Sequence, residues 1–335
     1  MQFIPGLKAA GWRVSHRPNR PSRPWSSSLR NRMLRQWHHR CGTWRRRRHR
    51  AKDVRDAAEF DVVFVNRDLL AGEVIWEQRL LQQNPRVIFD FDDTIFLGDK
   101  KRAHIEWICR NAAWVTAGND YLADFARRLT DKVTVLPTVV DTDGYKVKDH
   151  TVTQPAGIRI GWLGSPFSIA ETLFPHLEML AALQKQIGFE VVIISKPRPE
   201  LPATTLKWNF IPWSPETESE IAQHFDIGVM PLVDDEFQRG KCGLKLLQYM
   251  AAGLPVISSP VGINRTIAPH GGYVAAGAAE WRAAISALEN DANLRRDLGL
   301  RGRKFCEQHY SLSAWLPELL SLLEKISGNK ASALR

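Results

Sequence analysis

Residues 240–264, Gly-Lys-Cys-Gly-Leu-Lys-Leu-Leu-Gln-Tyr-Met-Ala-Ala-Gly-Leu-Pro-Val-Ile-Ser-Ser-Pro-Val-Gly-Ile-Asn, read as loop, helix, tight turn, buried strand and glycine loop. That order suits an anion held at a helix start. Gly243 lets backbone approach a ligand, and Lys241, Lys245 and Gln248 fall at i, i+4 and i+7, so one helix face carries two cations and an amide. Gly253 then ends the helix, Pro255 opens the strand Val256-Ile257, and Ser258 to Gly262 make a second small-residue loop. An ordinary helix and strand of a doubly wound domain is the plainer reading of the same residues.

Two further loops have the right composition. Ile158-Arg159-Ile160-Gly161-Trp162-Leu163 reads as a strand running into Gly164-Ser165-Pro166. Ligands of open α/β sheets gather at the carboxyl ends of strands, which makes Gly164 and Ser165 candidate ligand contacts; a plain connecting turn fits equally well. The strand 190–195 ends in Ser195-Lys196-Pro197, where Lys196 could face a phosphate or simply be exposed.

Val87-Ile88-Phe89-Asp90-Phe91-Asp92-Asp93-Thr94 carries different chemistry. The run resembles the Asp-x-Asp-x-Thr signature of haloacid dehalogenase-type phosphatases, which implies Asp90 as nucleophile on phosphorus and Asp92 as acid/base, with Ser165, Lys196 and Asp234-Asp235 as partners for phosphate and magnesium. Acids capping the next turn are the plainer alternative.

These residues need strands and helices to hold them. From residue 60 the apolar pattern alternates between short β-rich runs and helical stretches: strands at 62–65, 87–91, 114–117 and 133–136, helices near 69–83, 101–111 and 119–129. After the polar stretch 141–157 the pattern restarts, with strands at 158–163, 190–195, 206–210, 227–231 and 255–258 and helices near 169–187, 215–224 and 242–252. The spacing predicts two α/β domains, each a doubly wound parallel sheet, with a boundary near residue 150: 1–150 and 151–335. Helices at 279–289, 291–309 and 313–326 close the chain. Residues 2–11 read as a helix stopped by Gly11, and Trp12-Arg13-Val14 as a strand after it; the strand that would precede that helix in such a fold is not in the sequence, so Met1 lies downstream of the natural start or the loop has been lost.

Charge is concentrated at one end. Residues 1–55 hold 14 Arg and 2 Lys against Asp53 alone, whereas the whole chain is only +10, so the remainder is net negative. A general affinity for nucleic acid is not what the body of the protein shows. Within 23–55, Arg45-Arg46-Arg47-Arg48 is interleaved with Trp25, Trp37 and Trp44, which suits an anionic membrane surface; a solvated helix or a disordered basic linker is the alternative, and RNA is a third. The four cysteines are scattered and form no C-x-x-C pair or ligand cluster, so neither a disulfide framework nor a metal site is expected. No window approaches the ~18 apolar residues of a membrane span, and the N-terminus lacks the order of a secretory signal. The expected location is cytoplasmic, peripheral on the inner face of the membrane if the arginine run meets lipid.

The segment 226–264 as a whole resembles the donor-nucleotide region of family 4 (group 1) glycosyltransferases, which have the GT-B fold of two Rossmann-like domains facing a cleft. Asp226-Ile227-Gly228-Val229-Met230-Pro231-Leu232 matches a strand of that family, Val233 to Arg239 its variable loop, and 240–264 its helix, turn and second loop. Gly118-Asn119-Asp120 and Val135 to Asp141 complete the match, which covers about 2–18 and 60–320 and is specific only in 226–264. The resemblance implies a retaining transfer of a sugar from a nucleotide diphosphate to an acceptor hydroxyl, in polysaccharide or glycolipid synthesis, with no metal or other cofactor. It implies donor contacts at Gly164, Ser165, Lys196, Lys241, Gly243, Lys245, Gln248 and Gly262, a glycan or lipid-linked acceptor near Asp90, Asp92, Asp93 and Asn119, and the last helix crossing back to the first domain. The chain departs from the family where many members have Glu, seven residues, Glu: here stand Gly240 and Gln248, the latter losing the charge that accepts from the donor's ribose. With the absent first strand, that departure motivates a second possibility, a degenerate, non-catalytic partner protein. No residue is assigned as catalytic base.

Overall fold

The computed structural model of the chain describes residues 2–19, 32–70, 72–150 and 157–328, with backbone alone for 32–41. Trp25 lies outside the described residues, as does the side chain of Trp37. The chain divides into two compact units. One comprises Ile4–Leu136 and the chain from Glu318 on; the other comprises Pro137–Pro317 and the first residues of the chain.

The N-terminal unit contains α1 (Ile4–Ala9), α2 (Arg32–Asp56), β1 (Val63–Asn66), α3 (Ile75–Gln83), β2 (Val87–Phe91), α4 (Asp99–Asn111), β3 (Trp114–Ala117), α5 (Asp120–Arg127) and β4 (Val133–Val135). Its four strands are parallel in the order β1-β2-β3-β4. β2 is apolar on both faces because helices cover both; Phe89 stacks on Phe91 at 5.5 Å and Phe96 on Phe125 at 3.9 Å. The expected strand Trp12-Val14 does not form. Gly11 does end α1, at φ +87, but the chain then runs to Arg17, whose guanidinium bonds Asp56 (2.7 Å) and Asp53 (3.3 Å) on α2, so this segment is tied to a helix and not to a sheet edge.

In the C-terminal unit follow β5 (Arg159–Leu163), α6 (Pro166–Thr172), α7 (Leu177–Ile187), β6 (Glu190–Ser195), β7 (Trp208–Pro212), α8 (Pro215–Ser219), α9 (Ile221–His224), β8 (Ile227–Met230), α10 (Glu236–Arg239), α11 (Leu244–Ala251), β9 (Val256–Ser258), α12 (Asn264–Ile267), β10 (Gly272–Val274), α13 (Ala278–Asn290), α14 (Ala292–His309) and α15 (Leu312–Ser327). The six parallel strands run β10-β9-β8-β5-β6-β7, a doubly wound order whose direction of winding reverses between β5 and β8. The helix expected over 169–187 is two helices, because Pro175 has no N–H to donate and a 3-10 turn, Phe174–His176, takes up the break. β10 has no counterpart in the sequence reading; it is three residues long and opens on a glycine.

The partition falls at Pro137 and not near residue 150, since the intervening residues are bonded to the C-terminal unit. Lys146 N donates to Ser219 O and Lys148 N to Ala252 O, both at 2.9 Å; the Lys148 ammonium sits 2.6 Å from Asp226 Oδ1; His150 Nε2 lies 3.0 Å from Gly253 O. α15 begins in the C-terminal unit and, past Pro317, belongs to the N-terminal one, where Leu319, Leu322 and Leu323 are buried and Lys325 Nζ lies 3.6 Å from the centre of the Trp114 ring.

Candidate functional site

The reversal between β5 and β8 places the loops after these strands side by side. Two glycines let aromatic rings approach the sheet there, one of them from α11. A Cβ on Gly161 would stand 1.9 Å from Phe225 Cγ, and one on Gly228 2.3 Å from Tyr249 Cγ, so both rings lie directly on the sheet. The Tyr249 hydroxyl then accepts from Leu163 N at 2.9 Å, pinning α11 to the end of β5.

One turn before Tyr249 on α11, Lys245 is thereby brought to the Gly164 loop. Its ammonium donates to Ser168 Oγ (2.8 Å) and lies 5.0 Å from the centre of the Trp162 ring; a Cβ on Gly164 would collide with both that ring (2.6 Å) and Lys245 Cε (2.9 Å). No carboxylate among the described residues pairs with it. Burial, and after it the charge of Lys241, pushes this ammonium down to about 7. A cation in the first turn of a helix also opposes the helix dipole. The arrangement is unfavourable as it stands and becomes favourable when an anion enters.

Lys241 precedes the helix and does not continue its face; its Nζ lies 4.3 Å from the centre of the Phe237 ring. Gly243 takes the N-cap position of α11 at φ +71, where no side chain caps the helix. Buried Asn264 donates to Ser258 Oγ at 2.8 Å, while its Oδ1 has no partner among the described residues and lies beside Gly243. Gly262 has φ +52, and a Cβ there would be 2.5 Å from Arg239 O, so only glycine lets the second loop lie on the end of α10. Ser165 caps α6, accepting from Ser168 N at 3.2 Å, which is why the loop after β5 presents Ser168 to Lys245. Lys196 is exposed after β6.

Gln248 is buried and turned elsewhere. Its Nε2 donates to Glu218 Oε1 at 2.8 Å; the same oxygen accepts from Tyr145 OH at 3.0 Å, and Glu218 Oε2 accepts from Trp213 Nε1 at 2.6 Å. Tyr145, Trp213, Pro215 and Glu218 line a hollow in the surface of this unit. Glu218 is a candidate site residue that the sequence did not point to. The signal was weak: an acidic residue three positions after Pro215 looks like any solvated first turn of a helix.

In the N-terminal unit, three side chains meet at one register across the carboxyl ends of β1, β2 and β3. Asn66 Nδ2 donates to Asp90 Oδ2 (2.6 Å) and Thr116 Oγ1 to Asp90 Oδ1 (2.7 Å). Burial outweighs these bonds and raises the Asp90 carboxyl to about 6. Asp92 accepts from both Nε (3.0 Å) and Nη2 (2.9 Å) of Arg67, and Asp93 caps the following turn at Thr94 N. Asn119 caps α5 through Leu122 N at 2.9 Å.

Residues 159–291 match the family model described as glycosyl transferases group 1. That match lies within the C-terminal unit and spans less than half of the chain. No curated protein sequence matches it. Solved structures share the fold over both units. Sucrose-phosphate synthase from Thermosynechococcus elongatus is 17% identical with a TM-score of 0.63, covering 81% of this chain and 74% of that one. A UDP-forming α,α-trehalose-phosphate synthase from Burkholderia xenovorans is 13% identical with a TM-score of 0.62, covering 97% and 85%. An Anabaena protein solved with UDP and glucose is 13% identical with a TM-score of 0.61, covering 82% and 81%. The architecture is thus that of the GT-B glycosyltransferases.

The residues of the phosphatase signature are divided between the two units. Asp90 and Asp92 belong to one unit, Ser165, Lys196, Asp234 and Asp235 to the other. Ser165 and Asp235 are helix caps, and Asp234 is paired with Arg239 at 2.6 Å.

Proposed function

We propose that the enzyme transfers a sugar from a nucleotide diphosphate to an acceptor hydroxyl with retention of anomeric configuration, the C-terminal unit binding the donor and the N-terminal unit the acceptor. The observation that carries this reading is the buried ammonium of Lys245 in the first turn of α11, which no carboxylate among the described residues pairs with. Cleavage of the bond from the anomeric carbon to the diphosphate leaves charge on phosphate oxygen, and Lys245, Lys241 and the free N–H groups of α11 are already in place to meet it without reorganising. Ammonium groups then do the work a metal ion does elsewhere, and the reading needs no cofactor.

With phosphate at Lys245, the rest of the nucleotide extends toward the next turn of α11, since residues three apart share a helix face. There Gln248 and Glu218 offer an amide and a carboxylate to ribose hydroxyls, beside the Trp213 ring. Uridine is the base we favour, because similar folds have been solved with UDP and with UDP-glucose. Gly164, Ser165, Gly243 and Gly262 keep backbone close to the ligand, and Lys196 is a further phosphate contact. Asp90, Asp92, Asp93 and Asn119 form the acceptor side, and the acceptor is a glycan or a lipid-linked glycan on the route to a polysaccharide or glycolipid. Calorimetric titration with UDP, GDP and ADP tests the donor half: binding of one of them, lost in Lys245→Ala, is the expected result, and no binding of any would overturn it.

A further inference from the structure

Helix α2 carries nine arginines and one lysine against two aspartates, yet the donor site makes no use of them. Its two faces differ sharply. On the inner face Arg50 is buried, donating to Leu69 O (3.2 Å) and Asp53 (3.0 Å), Val54 is buried beside it, and Arg47 forms a two-pronged pair with Glu73. Arg46 donates to Thr43 within the helix. Of the four-arginine run, Arg47 is exposed but neutralised by Glu73 and Arg46 is half-buried, which leaves Arg45 and Arg48.

The outer face gathers other residues. Trp44, Arg48, Lys52 and Arg55 follow one another at spacings of four, four and three, which puts them in one stripe along the helix, with Arg45 and His49 on its flank. All six are exposed, and the stripe contains no acidic residue; the acids of this helix, Asp53 and Asp56, both pair with Arg17. Trp44 is 61% exposed, with the Arg48 guanidinium 5.4 Å from the centre of its ring. An indole left in water amid cations is poorly solvated there, and gains by moving to the level of lipid headgroups, where its apolar body and its N–H both find partners.

We propose that this face of α2 is a docking surface for an anionic lipid bilayer, the cations meeting lipid phosphate and Trp44 entering the headgroup layer. Charge complementarity selects the occupant's sign, and the exposed indole among the cations suits the headgroup layer of a bilayer, where ring and charges are met together. The rest of the chain is net negative, so the attraction is confined to this segment and orients the protein on the surface. The inference is independent of the donor site, which lies in the other unit.

Co-sedimentation of the full chain with vesicles of phosphatidylcholine, alone or mixed with phosphatidylglycerol, tests it. Binding is expected to the mixed vesicles only and to weaken as salt is added. The variant Arg45→Ser, Arg48→Ser, Lys52→Ser, Arg55→Ser should lose about fivefold per cation removed. Replacing the three arginines by lysine should retain binding, since charge and not guanidinium geometry is at work, and Trp44→Ala should weaken binding at every salt concentration without altering its salt dependence. Equal binding to neutral vesicles, undiminished binding by the serine variant, or tighter binding to a single-stranded RNA than to the mixed vesicles would each overturn the proposal. All the substituted side chains are exposed, and an unchanged circular-dichroism spectrum and melting temperature confirm that each variant is folded.

Discussion

The side-chain amide of Gln248 donates to Glu218 Oε1 at 2.8 Å, joining α11 to α8 through a carboxylate that also accepts from Tyr145 and Trp213. A negative charge thus stands beside position 248 although the residue there is neutral. Glu218→Gln keeps the size of the side chain and removes that charge. It should weaken nucleoside diphosphate binding about tenfold, at ~1.5 kcal/mol for a hydrogen bond to a charged group, while leaving inorganic pyrophosphate binding unchanged. Competition titration with the two ligands separates these effects; equal losses for both would show that Glu218 only braces the fold.

Lys245→Ala should lower nucleotide diphosphate affinity tenfold or more, the value of a charge-assisted bond to phosphate, and Lys241→Ala should act in the same direction. The pH dependence follows from the depressed ammonium. Above about pH 7 Lys245 in the free protein is neutral and must take up a proton when phosphate binds, so affinity should fall as pH rises. Calorimetry in buffers of different protonation enthalpy should register about one proton taken up near pH 8, and none in Lys245→Ala.

The same lysine sets a stability prediction of opposite sense. Because its folded value lies below its unfolded one, the folded state bears the cost of a desolvated ammonium at low pH and is relieved of it as pH rises through 7 toward 10. Lys245→Met should therefore raise the melting temperature at pH 6, by about 2–4 °C for each kcal/mol relieved, and have little effect at pH 10. A melting curve that drops at pH 6 would mean that the ammonium already has an adequate partner.

Asp90 has a folded value raised to about 6, so its contribution is present below about pH 4 and is lost as pH rises through 6. Asp90→Asn retains partners on both sides, as amide oxygen can accept from Asn66 and the amide N–H₂ can donate to Thr116. It should flatten the decline in stability between about pH 4 and 7, a difference of up to about 3 kcal/mol followed by urea denaturation, and leave donor binding intact. Magnesium-dependent release of phosphate from a generic ester by the wild type, abolished in this variant, would instead establish the phosphatase chemistry.

Gly262→Ala forces a Cβ toward Arg239 O in a left-handed backbone conformation. The cost should be about 1–3 kcal/mol, with loss of nucleotide affinity as the loop moves off α10. Parallel denaturation and titration would reveal it; a neutral result would mean that the loop shifts freely.

The alternation of strand and helix in both units was legible in the sequence, as were the loop, helix, turn and strand of 240–258, because apolar periodicity and the glycines at helix ends are local properties. β2, β3 and β6 begin and end where the apolar pattern places them, and Gly11, Gly243 and Gly253 stand at helix ends with positive φ as their positions required. Failures came where partners are distant in the chain. Trp12-Val14 looks like a strand until Arg17 finds Asp53 and Asp56 on α2, and the four arginines look alike until Glu73 takes one of them. Lys148 is one more exposed lysine until Asp226, far along the sequence, draws the linker onto the C-terminal unit. Tertiary structure alone brought Glu218 to Gln248 and left Lys245 without a carboxylate partner among the described residues, since a pattern of residue types specifies which face of a helix is buried but not which polar atoms meet there.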